Sequence, residues 1–137
     1  MQQQQGAARI LVVDDEAHIV QVVALKFRNA GLEVETAGDG DEALAMLERA
    51  HAEGAPFQLV VTDLQMPAMS GIEFLQALRS RGSTIPFVLM SGHATAEDVD
   101  MARRAGITAF LGKPFPPQEL LKVLTTLLPR LRSAGNE

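Results

Sequence analysis

The sequence predicts a doubly wound α/β domain built on a five-stranded parallel sheet, and three observations carry that prediction. Five short apolar runs, at 10–13, 32–37, 57–62, 85–90 and 108–111, alternate with five segments whose apolar residues recur at helical spacing. Four of those helical segments close on a glycine, at Gly31, Gly54, Gly82 and Gly106. The central run Leu59, Val60, Val61 has no polar alternation, the pattern of a strand buried on both faces in a helix-covered parallel sheet. Short loops and right-handed crossovers then return every strand in the same direction. A closed eight-unit barrel would need roughly 250 residues, and this chain has 137.

The elements follow in order. Residues 1–8 are glutamine-rich, low in complexity and without an apolar face, so a disordered tail is expected there, with a folded domain over 9–131 and a second tail over 132–137. Ile10 to Val13 reads as the first strand and ends on Asp14, Asp15 and Glu16. Ile19, Val22, Val23, Phe27 and Ala30 then set a helical stripe up to Gly31. In the second strand Glu33 and Glu35 alternate with Val34, which suits an edge. Asp39 and Glu42 form a capping pair for a helix carrying Ala43, Leu44, Met46 and Leu47.

The third strand stops on Asp63, and Met66-Pro67 turns the chain. Ser70 and Glu73 open the next helix, with Ile72, Leu75 and Leu78 as its stripe. The fourth strand, with Pro86 near its start, ends at Ser91-Gly92. Thr95 and Asp98 cap a shorter, more polar helix. After the fifth strand comes Lys113-Pro114, and Pro116-Pro117 opens a last helix with Leu120, Leu124, Leu127, Leu128 and Leu131 on one face.

Composition narrows the function classes. A formal net charge of -5 and the absence of any basic run argue against a sequence-independent nucleic-acid surface, which needs clustered cations to displace phosphate counterions. With no cysteine there is no disulfide framework, thiol nucleophile or zinc knuckle. No apolar stretch approaches the roughly 20 residues of a bilayer span, and the N-terminus lacks a secretory pattern, so a soluble cytoplasmic protein without membrane contact is expected.

In parallel strands, Asp14 and Asp15, Asp63, Ser91 and Lys113 all fall at the carboxyl edge of the sheet, where open α/β folds bind ligands. Each has an ordinary use when taken singly. Aspartate caps turns, Ser91 before Gly92 suits a turn, and His93 is more often a loop histidine than a ligand. Together they describe a site. Three neighbouring carboxylates repel unless a cation sits among them, and an all-oxygen set with water favours Mg2+. Lys113 and the Ser91 hydroxyl can then hold an anion, such as a phosphoryl group carried on Asp63.

This motif set resembles a response-regulator receiver domain of bacterial two-component signalling, of the single-domain, chemotaxis-regulator-like kind. The matching residues are Asp14-Asp15, Asp63 with Met66-Pro67, Ser91-Gly92 and Lys113-Pro114-Phe115, and the match extends over roughly residues 8 to 131. The resemblance implies the flavodoxin-like strand order 2-1-3-4-5, with Asp63 as phosphoacceptor and Asp14, Asp15, Asp63 and the backbone carbonyl of Gln65 around Mg2+. It further implies that Lys113 pairs with the phosphoryl oxygens, Ser91 is the switch hydroxyl, Phe110 moves with it, and the Lys113-Pro114 bond is cis. Phe110 stands where many relatives carry tyrosine, and Ser91 where many carry threonine. The implied function is a phosphorylation-driven binding module rather than an enzyme acting on an external substrate, with self-catalysed phosphoryl uptake and loss. Its expected partners are a histidine kinase or phosphotransfer protein and, through the 95–131 face, an output protein or a second copy. With no effector segment beyond residue 132, DNA binding in cis is not expected. One alternative is a Mg2+-dependent phosphatase working through an aspartyl-phosphate, but Gln65 stands where such enzymes carry a second aspartate. Another is a receiver-like module that binds without phosphorylation.

Overall fold

Every residue of the central run vanishes from solvent: Leu59, Val60 and Val61 are fully buried, as are Ile10 to Val13 and Phe87 to Met90 on either side. The computed structural model describes residues 8–113, 118–119, 121–124 and 126–127. Its elements are β1 (Arg9–Val13), α1 (Ala17–Asn29), β2 (Glu33–Ala37), α2 (Gly40–Ala52), β3 (Leu59–Asp63), α3 (Gly71–Ser80), β4 (Phe87–Ser91), α4 (Ala96–Arg104) and β5 (Ala109–Gly112). Residues 118–119, 121–124 and 126–127 are helical. Pro114, Phe115, Pro116, Pro117, Leu120, Leu128, Leu131 and the segments 1–7 and 132–137 lie outside the described residues.

All five strands are parallel, in the order β2-β1-β3-β4-β5. The alternating strand β2 is at an edge, as its glutamates require. Strand pleating sends successive side chains to opposite faces and builds two cores. Leu11, Val13, Val60, Phe87 and Leu89 meet α2, α3 and α4 through Leu44, Phe74, Leu75 and Ala102. Ile10, Val12, Leu59, Val61, Val88 and Met90 meet α1 and the C-terminal helical residues through Val23, Phe27, Leu124 and Leu127. Each fully buried side chain of this size contributes about 1.5–3 kcal/mol relative to exposure.

Local chemistry explains the boundaries. Ser70 and Thr95 make complete capping boxes, each accepting from the backbone N–H three residues on while Glu73 and Asp98 reach back to the cap N–H. At α2 only half the box forms: Asp39 accepts from the Glu42 N–H, but the Glu42 carboxylate accepts from Gly38 instead. The buried face of α1 is Val20, Val23, Ala24 and Phe27, whereas Val22 is 54% exposed, so the stripe is turned by part of a helical turn from the expected one. On α3, Phe74 joins the stripe and meets the Phe87 ring edge-on at 5.4 Å. β3 starts at Leu59 and runs through Asp63; Phe57 precedes it and lies under the Arg9 guanidinium. Ala8, assigned to the tail by sequence, accepts from the Glu33 N–H and lengthens the β1–β2 pairing.

Candidate functional site

The carboxyl edge of the sheet gathers the chemistry because β1 and β3 are neighbours. Asp14 follows β1, Asp63 is the last residue of β3, and both are buried, at 2% and 6% exposure, while Asp15 is exposed. Asp14, Asp15 and Asp63 each offer a carboxylate oxygen within 4.8 Å of the other two. Lys113, just beyond β5, reaches back across β4 to Asp63 Oδ1 at 3.3 Å and Asp14 Oδ2 at 3.5 Å. Asp15, Glu16, Asp63, Gln65, Gly92, His93 and Lys113 line an open depression of about 610 Å³ above these groups.

Burial pushes the Asp63 carboxyl above the usual aspartate range, against the pull of Lys113 and the Gln65 backbone N–H that donates to it. Asp14 is raised for the same first reason, opposed by the Glu16 N–H and by Lys113, and the charge of Asp63 raises it further. Burial alone would lower Lys113, yet the two carboxylates outweigh it and hold the ammonium pKa up. The site is therefore acidic in excess of its one lysine. Its oxygen donors, with Asp15 open to water, fit a hard divalent cation such as Mg2+.

Not every candidate from the sequence sits in this cluster. Gln65 lines the depression and is tied to Asp63 through its N–H. Ser91 is 2% exposed at the end of β4; its hydroxyl accepts from the His93 N–H and its carbonyl from the Lys113 N–H, so it frames the site without touching a carboxylate in any described bond. Phe110, on β5, pairs in register with Leu89 of β4 and packs, half-buried, against the core shared with α2, α3 and α4; it is neither in the acidic cluster nor among the residues lining the depression. Glu16 and His93 line the depression without having been singled out as working groups; their nearness to Asp14 and Ser91 in sequence was the available signal. Gly71 was overlooked entirely: a Cβ there would come within 2.5 Å of the Asp63 carbonyl oxygen.

A parallel sheet in the order 2-1-3-4-5, with an acidic pocket and a lysine where the strand order reverses, defines a flavodoxin-like fold. The chain belongs to the response regulator receiver domain family, whose model matches residues 10–125. It is 38% identical over 135 residues to the alkaline phosphatase synthesis transcriptional regulatory protein SphR of Synechococcus elongatus, covering 96% of this chain and 52% of that one. The Vibrio cholerae chemotaxis protein CheY4 superposes with a TM-score of 0.78 at 37% identity, over 88% of this chain and 98% of that one. A receiver domain protein from Methanospirillum hungatei gives 0.84 at 28% identity, over 94% and 99%. The chain spans about half the length of the curated relatives it matches. As a receiver domain it is a signalling module of the kind found in two-component response regulators. No helix among the described residues is long and apolar enough to cross a membrane.

Proposed function

We propose that Asp63 is the phosphoacceptor of this domain, and that its phosphorylation switches a protein-binding face. The observation that carries the proposal is the placement of the Asp63 carboxylate, buried at the end of the central strand, 3.3 Å from Lys113 Nζ and beside Asp14 and Asp15. An Asp63 oxygen attacks the phosphorus of a donor phosphohistidine or acyl phosphate, the new O–P bond forms, and the donor's bond to phosphorus breaks with its electron pair. Lys113 holds one phosphoryl oxygen as charge gathers there. Asp14, Asp15, Asp63 and the Gln65 carbonyl would hold Mg2+, which when bound offsets the acidic excess and the phosphoryl charge. The domain takes up and releases the group by its own chemistry, so a kinase or phosphotransfer protein acts chiefly as donor.

The output step follows from the neighbouring strand. The phosphoryl oxygens are strong acceptors, and drawing the Ser91 hydroxyl toward them opens room that the Phe110 ring fills. The face over residues 95–131, of which 114–117, 120, 125 and 128–131 lie outside the described residues, then recognises a partner protein or a second copy. The folded unit on this reading is 9–131, working in the cytoplasm beside its kinase. Amide chemical-shift mapping with beryllofluoride and Mg2+ tests the switch: shifts extending from the Asp63 loop into residues 91–113 are expected, and shifts confined to the loop would refute it.

A further inference from the structure

Gly71 is the first residue of α3, eight residues after Asp63, and has ordinary helical geometry, so its lack of a side chain is not required by its own backbone. The requirement comes from across the loop. A Cβ built on Gly71 would lie 2.5 Å from the carbonyl oxygen of Asp63, 3.0 Å from Leu64 Cα and 2.6 Å from Leu89 Cδ2. Leu89 is fully buried, so moving its methyl disturbs core packing, and the two backbone atoms move only against hydrogen bonds that hold the peptide on both sides. The Leu64 N–H donates to the Met90 carbonyl at 2.8 Å, continuing the β3–β4 ladder, and the Leu64 carbonyl accepts from the Gly71 N–H at 2.7 Å. On the helix side, the Ser70–Glu73 capping box fixes where α3 begins.

We infer that Gly71 is a positioning residue for the phosphoryl site: its missing Cβ lets the capped start of α3 rest directly on the Asp63–Leu64 peptide and so sets the position of the Asp63 carboxylate and of Gln65. The inference rests on Asp63 being the phosphoacceptor. The link to the chemistry is short. Gln65 follows the Asp63–Leu64 peptide directly, lines the depression and bears on the Asp63 carboxyl through its backbone N–H, so a peptide pushed there disturbs both residues. Restoring ordinary contact around an added methyl means a retreat of about 0.9 Å by the Asp63 carbonyl, and a displacement of ~1 Å at a reacting group costs on the order of 100-fold in rate.

Three full-length variants separate positioning from packing: Gly71→Ala, Leu89→Ala and the double variant. Each is measured by thermal melting without metal, by Mg2+ titration followed through amide shifts, and by the rate of phosphoryl uptake from acetyl phosphate. Leu89→Ala is expected to melt lower while keeping Mg2+ affinity and uptake within about twofold of wild type. Gly71→Ala is expected to lose at least about tenfold in uptake rate and to bind Mg2+ more weakly. In the double variant the methyl has room against the core, so melting recovers toward that of Leu89→Ala while the chemical losses stay. Full recovery of Mg2+ affinity and uptake in the double variant would overturn the inference, as would wild-type values in Gly71→Ala. Failure of both glycine variants to melt cooperatively would also overturn it, since the contact would then serve packing alone. A wild type that takes up no phosphoryl group refutes the phosphoacceptor role itself, and the Mg2+ titrations then decide the positioning of the loop independently.

Discussion

Lys113 Nζ lies 3.3 Å from Asp63 Oδ1, tying the residue after β5 to the end of β3 across the whole width of β4. The same ammonium is 3.5 Å from Asp14. One cation thus serves two buried carboxylates whose own burial raises their pKa values.

Replacing that cation should destabilise the metal-free domain in a pH-dependent way. Lys113→Met leaves Asp14 and Asp63 facing each other uncompensated; the expected cost is about 1–2 kcal/mol, less than for a fully buried pair because water reaches the depression. The sign follows from the shifts. Lys113 is raised, so its contribution is present below the ordinary lysine pKa and is lost as pH rises through its folded value. Asp14 and Asp63 are raised, so their charged forms disfavour the fold and their protonation on acidification relieves it. The cost of Lys113→Met should therefore be largest at pH 7–9 and shrink as pH falls toward the aspartate range of about 4. Urea unfolding in EDTA at pH 7.5 and 4.5 measures it, and an equal cost at both would contradict the pairing.

Magnesium should raise the melting temperature, because it relieves repulsion among Asp14, Asp15 and Asp63 and binds the unfolded chain weakly. At 100 times the dissociation constant the gain is about 2.7 kcal/mol. Asp15→Ala removes the one exposed carboxylate of the three and should abolish most of that gain while changing the metal-free melting little. A wild-type Mg2+ response in the variant would place the ion elsewhere.

Away from the site, Arg79 holds the far ends of two helices. Its guanidinium donates to the carbonyls of Ala105 at 3.2 Å, Gly106 at 2.9 Å and Ser83 at 3.2 Å. Lysine cannot reproduce that fork, so Arg79→Lys should cost about 1–2 kcal/mol. Hydrogen exchange at the Ala105, Gly106 and Ile107 amides, which close the end of α4, should quicken ahead of the rest of the domain. Unchanged protection at those amides would show that the two bonds to the Ala105 and Gly106 carbonyls contribute nothing to holding α4.

The sequence announced what local pattern controls. Asp63 and Lys113 were legible because an apolar run that stops on a charge marks a strand end, and parallel strands bring such ends together. Glu33 and Glu35 marked β2 as an edge because charges alternating with Val34 suit a strand with one face open to water. The phase of α1 was not legible: Ile19, Val20, Val22, Val23, Ala24, Leu25 and Phe27 leave hardly any polar residue to fix which side faces inward, and only the sheet surface selects Val20 over Val22. Phe74 sits between the stripe residues Ile72 and Leu75, and its burial depends on the Phe87 ring from another strand. Gly71 resembled any helix start after a serine cap; the contact that forbids a side chain comes from a carbonyl eight residues earlier and is a property of the fold alone.

The central claim, that Asp63 carries the phosphoryl group, is tested most directly by intact-mass analysis after incubation with acetyl phosphate. Wild type with Mg2+ should gain one phosphoryl group. The gain should disappear on adding EDTA and should be absent from Asp63→Ala, which keeps Asp14, Asp15 and Lys113 in place. Equal incorporation by wild type and Asp63→Ala would contradict the account.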